Sequence, residues 1–119
     1  MSIRVGIDAR LYARFYFGKE AEVHPEEGAD PMIGRLIDIG LGGVSVETGA
    51  PLPLNSKFRL NISHKSRSLS VKCQVLYCNE NEGVYTIGVK FATEGHHERV
   101  KIAEFVFDVF QSQSELMAS

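Results

Sequence analysis

Residues 35–47 read RLIDIGLGGVSVE, and this stretch decides the fold. An apolar run ends in Asp38, and Gly40-Leu41-Gly42-Gly43 then puts three glycines within four residues. The next run, GVSVE, alternates, with Val44 and Val46 inward and Ser45 and Glu47 outward. Strand, bare turn and strand make a hairpin. The glycine content exceeds what a turn needs. Gly42 is expected to serve the turn itself, through a positive φ. Gly43 is expected where the backbone bends and a side chain would collide with a strand or a ligand.

The same period of two extends in both directions. Upstream, RFYFGKEAEV places Phe15, Phe17, Ala21 and Val23 on one parity, and the acidic, Pro/Gly-rich residues 24–31 form a loop. MIGRLIDI is a strand of mixed faces. Downstream, TGAPLPLN is a loop, and KFRLNIS alternates through Phe58, Leu60 and Ile62. HKSRS is a polar turn. LSVKCQVLYC sets Val71, Cys73, Val75 and Tyr77 on one face. After the turn ENEG, VYTIGVKF sets Tyr85, Ile87, Val89 and Phe91 on one face. About six short strands separated by turn signals predict an antiparallel barrel.

From roughly His96 to Leu116 the period becomes helical. Lys101, Glu104, Asp108 and Gln111 form one polar stripe. The remaining apolar positions cover an arc of about 220° at helical spacing. A helix lying on a barrel needs an arc of only about 100° or somewhat more. The excess is consistent with deep burial or with a second apolar face for a partner. Ile102, Phe105 and Val109 are the candidate partner contacts, for an effector protein or for a homodimer through this helix.

The chain has 119 residues, the size of one domain, and enough to bury a core without disulfides or metals. Its net charge of −2 makes the whole surface no attractor for DNA, so anion binding must come from a local arginine cluster. Cys73 and Cys78 are five apart on one strand, which is expected to turn them to opposite faces and leaves no disulfide framework. No second Cys/His pair has metal-ligand spacing. His24, His64, His96 and His97 are scattered over turns and the helix start, none beside a nucleophile, so no enzyme is expected. A single-strand nucleic-acid barrel would need a basic groove with exposed aromatics, and here the basic residues are dispersed. Without a signal-peptide core or a membrane-length apolar run, a cytoplasmic protein with no membrane insertion is expected.

Two arginines stand four apart ahead of the first strand, in Arg10-Leu11-Tyr12-Ala13-Arg14. An RxxxR pair, an acid with glycines at a later hairpin, a strand ending YTIGVKF and a terminal helix together resemble the PilZ domain family. The resemblance spans nearly the whole chain. It implies a mainly β fold, a six-stranded antiparallel split barrel over residues 14–92 with a C-terminal helix over 95–117 and a lead-in over 1–13. It also implies a bacterial cyclic di-GMP receptor, without further cofactor, of the kind that acts in motility and biofilm signalling. Arg10 and Arg14 match the family's first motif. Asp38 and Gly43 match its second, [D/N]xSxxG, but Gly40 stands where the family has serine.

The chemistry suits the assignment. A guanidinium fork pairs bidentately with phosphate and can also bond guanine O6 and N7. The Asp38 carboxylate accepts, and guanine offers N1–H and a 2-amino group to it. Gly40 lacks the serine hydroxyl and offers only its amide. One neutral hydrogen bond is worth about 0.5–1.5 kcal/mol, against about 1.5–3 for a charge-assisted one, so binding should weaken without vanishing. Asp8 and Ala9, just ahead of the first arginine, also depart from the family's basic or polar pattern. Ligand is expected to order the lead-in against the barrel and so signal to an effector. The alternative is a degenerate adaptor that binds no nucleotide and acts by protein contact in motility or pilus function.

Overall fold

The computed structural model describes residues 15–26, 30–93 and 95–118. Six strands run β1 (Phe15–Pro25), β2 (Met32–Ile39), β3 (Gly43–Thr48), β4 (Lys57–His64), β5 (Arg67–Asn81) and β6 (Val84–Phe91), followed by helix α1 (His96–Ala118). All pairings are antiparallel and close a barrel in the order β1-β2-β3-β6-β5-β4, with β4 returning to β1. The six-stranded antiparallel barrel with a C-terminal helix is therefore the fold, as the alternation predicted.

Alternation builds the interior. Val23, Leu36, Val44, Val46, Phe58, Leu60, Ile62, Val71, Cys73, Val75, Ile87 and Val89 all point inward and are buried. Each fully buried aliphatic or phenyl side chain contributes about 1.5–3 kcal/mol relative to exposure. The β5–β6 connection is a two-residue turn, with Glu82 and Gly83 both at positive φ between the paired Asn81 and Val84. That is the backbone twist tight hairpins require.

Three strands break the alternation. Bulges interrupt β1 between Tyr16 and Lys19, β2 between Leu36 and Asp38, and β5 between Val75 and Tyr77. In β2 the inward residues are Leu36 and Ile39, which accounts for the mixed faces. In β5 the bulge overturns two expectations. Tyr77 leaves the face of Val71, Cys73 and Val75 and is exposed, while Cys78 packs against the core. The two cysteines thus share the inner side, both unbonded.

Helix α1 packs on β5 and β1 through Ile102, Phe105, Val106 and Val109. Ile102, Phe105 and Val109 are therefore core residues facing the barrel, and the assignment of these three as partner contacts is corrected. Among the described residues of the helix, Val100, Phe107 and Phe110 are the large apolar side chains left exposed, with the two phenyl rings paired at 6.3 Å. The second apolar face exists, but on the opposite flank of the helix.

His64 was expected in a polar turn and instead ends β4 in a buried position. Its ring lies 5.4 Å from the ring of Phe17 and 6.2 Å from that of Phe105, and Nε2 bonds the Ser112 hydroxyl at 3.0 Å. Arg67 and Asp108 form an ion pair beside it. Burial depresses the His64 pKa, helped by Lys19 and Lys65 and opposed by Asp108. The imidazole that joins helix to barrel is thus held neutral.

Two outcomes follow from this packing. A Cβ at Gly43 would fall on the Val89 carbonyl, so Gly43→Ala must push β3 away from β6. Gly43→Ala should destabilise by about 1–3 kcal/mol, read by denaturant unfolding. For His64, the folded value lies below the ordinary imidazole value of 6.5, so the unfolded chain takes up the proton first. Stability should be complete above that value and fall as pH drops below it. Thermal melts from about pH 7 to about pH 5 should decline more steeply for the wild type than for His64→Phe.

Candidate functional site

The RxxxR motif leads by sequence into β1, but Arg10 and Arg14 lie outside the described residues. The strand that follows them is placed by register. Phe15 pairs with Ile39 and Tyr16 with Asp38, so β1 begins alongside the end of β2 and its glycine turn. The strand start after the first motif and the acid of the second are thus neighbours on two adjacent strands, though Phe15 and Asp38 are over twenty positions apart in sequence.

The turn is built by its backbone. Gly40 N–H donates to the Gly43 carbonyl at 2.9 Å, and Phe91 N–H donates to the Gly42 carbonyl at 2.9 Å. The first bond bears on the missing serine. Gly40 supplies no hydroxyl, and its amide is already engaged within the turn. Gly42 shows no positive φ, and a Cβ there would touch nothing, so the expectation of a left-handed glycine at 42 is corrected. At Gly43 the side-chain space is taken by β6, whose Val89 carbonyl stands where a Cβ would be. Asp38 itself is half-buried on the outer face, moved there by the β2 bulge.

Asp38 belongs to a row that crosses the barrel wall. Tyr16 pairs with Asp38, Asp38 with Ser45, Ser45 with Gly88, and Gly88 with Tyr77. Directly paired residues in antiparallel strands share a face. For Asp38, Ser45, Gly88 and Tyr77 that face is the outer one, since the flanking Ile39, Val44, Val46, Ile87 and Val89 point inward. Ser45, expected outward and exposed, is buried, at 9%. Tyr77 lies with its ring over Gly88, where any Cβ would overlap the ring atoms. Parity alone put Tyr77 in the core. The signal for its true place was Gly88, a glycine in mid-strand, which marks a close approach.

Elsewhere the chemistry is quiet. Burial pushes the Cys73 thiol up to about 12, which leaves no thiolate at neutral pH. Among the described residues no group of His, Cys, Asp and Glu could hold a metal ion, and no helix is long and apolar enough to cross a membrane. A surface groove lined by Glu20, Glu22, Asn61, Ser63 and Ser70 lies away from Asp38. Its two carboxylates suit a phosphate diester poorly.

A closed barrel of this topology, with an acid-and-glycine turn set against the start of β1, defines a PilZ-type module. The PilZ domain profile matches residues 8–108, and the chain belongs to the PilZ domain family. Among solved structures, the PilZ domain of YcgR from Escherichia coli with c-di-GMP superimposes with a TM-score of 0.70 at 12% identity, over 90% of this chain and 97% of that one. The PilZ domain of CeSA from a cellulose synthesizing bacterium gives 0.65 at 15% identity, over 81% and 96%. The MrkH–c-di-GMP complex of K. pneumonia gives 0.71 at 15% identity, over 86% of this chain and 52% of that one. This chain thus spans about half the length of MrkH, as it does of apo MrkH, where the share is 50%. At such identities the likeness is one of fold. No curated protein is significantly similar in sequence.

Because the Gly40 amide is engaged, the site's deficit is a hydroxyl. Gly40→Ser should tighten cyclic di-GMP binding about two- to twelve-fold, the worth of one neutral hydrogen bond, as measured by isothermal titration.

Proposed function

We propose that this PilZ domain is a cytoplasmic receptor for cyclic di-GMP that passes the signal to a partner protein. Arg10 and Arg14 hold phosphate and guanine edges, and Asp38 accepts from the guanine N1–H and 2-amino group. The observation that carries the reading is the register, since Arg14 immediately precedes Phe15, which pairs with Ile39, and Tyr16 pairs with Asp38. The RxxxR motif and Asp38 match the family's pattern at both ends of that contact. The PilZ structures of YcgR and MrkH with c-di-GMP support the choice of ligand. Two charge-assisted arginine contacts, at about 1.5–3 kcal/mol each, outweigh the missing serine bond.

Signal output follows from the same placement. Ligand draws residues 2–14 against the barrel, and the effector reads that change. The exposed Val100, Phe107 and Phe110 of α1 offer the effector an apolar face, and a second copy of the chain is the other candidate for it. Gly40 favours a second reading, a nucleotide-free adaptor, because neither a side-chain hydroxyl nor a spare amide stands at the serine position.

Isothermal titration with cyclic di-GMP, with GMP as control, separates the two. Micromolar or tighter binding that is lost in Arg10→Ala/Arg14→Ala establishes the receptor. No heat at high protein concentration leaves the adaptor. Under saturating ligand, amide exchange in residues 2–14 should slow, and unchanged exchange there would remove the proposed output route.

A further inference from the structure

Helix α1 carries two apolar stripes. Ile102, Phe105, Val106 and Val109 face the barrel and are buried. On the other flank Val100, Ala103, Phe107 and Phe110 are exposed, Phe107 at 57%. Their spacing is three, four and three, the repeat with which one helix meets another along a seam. The charges of α1 indicate which helix that is. Arg99 and Lys101 lie in its first turns, Glu104, Asp108 and Glu115 follow, and no Lys or Arg occurs beyond Lys101. A lone helix is stabilised by the reverse order, acids at its start and bases at its end. Glu98 alone among these follows that order. A second α1 lying antiparallel sets each basic end beside an acidic half and opposes the two macrodipoles.

We propose that α1 is a homodimer interface, in which the flank of Val100, Ala103, Phe107 and Phe110 packs antiparallel on the same flank of a second copy. A twofold contact requires one patch to complement itself. With the axis midway along the seam, near residue 105, Phe107 of one copy meets Ala103 of the other, and Phe110 meets Val100. Every phenyl ring then faces a smaller side chain, and the layers interdigitate. A parallel pair would set ring against ring at 107 and at 110 and leave Ala103 facing Ala103. Asp108 is held by Arg67 and stays out of the seam. Glu104 meets its counterpart at the exposed edge beside the axis, where water and salt screen the repulsion. The proposal holds whether or not the barrel binds a nucleotide, and it assigns this face to a second copy in place of an effector.

The test is sedimentation equilibrium of the full chain from low micromolar to roughly millimolar concentration, with each variant checked for folding by circular dichroism. The wild type should pass from monomer to dimer over this range. Phe107→Ala should weaken the dimer at least about tenfold, through lost apolar contact. Ala103→Phe should weaken it by a similar factor, because two rings then compete for one layer. The swap Ala103→Phe/Phe107→Ala should recover most of the affinity, since large again meets small. A wild type that stays monomeric throughout overturns the proposal and leaves the face to an effector. A dimer that both single variants leave unchanged lies elsewhere and overturns it as well. A tighter dimer in Ala103→Phe marks parallel pairing and overturns the antiparallel seam. If either single variant fails to fold, Phe110→Ser, read in the same way as Phe107→Ala, takes its place.

Discussion

The barrel depends on β3 lying against β6. The β1–β2, β2–β3, β4–β5 and β5–β6 pairings join strands that follow one another in the chain, whereas β3–β6 and β1–β4 join distant segments and close the cylinder. Distant pairings bear the larger entropic cost of closure, so their contacts must be good ones. At the first β3–β6 pair, Gly43 with Lys90, the Val89 carbonyl occupies the space a side chain would need. The Gly42 carbonyl takes the Phe91 amide beside it. A glycine that reads as part of a ligand motif is thus first a condition for closing the barrel.

Closure also sets the outer surface. A barrel packed inside with Val, Leu, Ile and Phe leaves its interior no room for polar ligands, so a site has to be made on the wall. The bulges do this. Those of β2 and β5 each place two consecutive residues off the inward face, Ile37 and Asp38 in β2 and Leu76 and Tyr77 in β5, before the inward pattern resumes at Ile39 and Cys78. The fold keeps its core on both sides of the irregularity, and polar and aromatic groups gain a common face. The neutral His64, set between Phe17 and Phe105, fastens α1 to the barrel by ring packing and one bond to Ser112, without a buried charge.

Strand identity, the turns and the inward positions were legible in the sequence, because the period of two is imposed by the pleat and water penalises any other arrangement. The acid and glycines at 38–43 and the RxxxR pair were legible as a motif, because their spacing is local. The departures have equally physical reasons. Parity cannot register a bulge, so Tyr77, Cys78 and the faces of β2 were misassigned or left mixed. Helical periodicity shows how wide the apolar arc is but not which flank meets the barrel, so it cannot tell the core residues Ile102, Phe105 and Val109 from partner contacts.

What the sequence by itself determined is thus the set of elements and the chemistry available at their ends. Only the tertiary structure decided which strands became neighbours, and with them the row from Asp38 through Ser45 and Gly88 to Tyr77. That row joins four strands spread over some fifty residues, and its register is settled by hydrogen bonds between segments that no local pattern encodes.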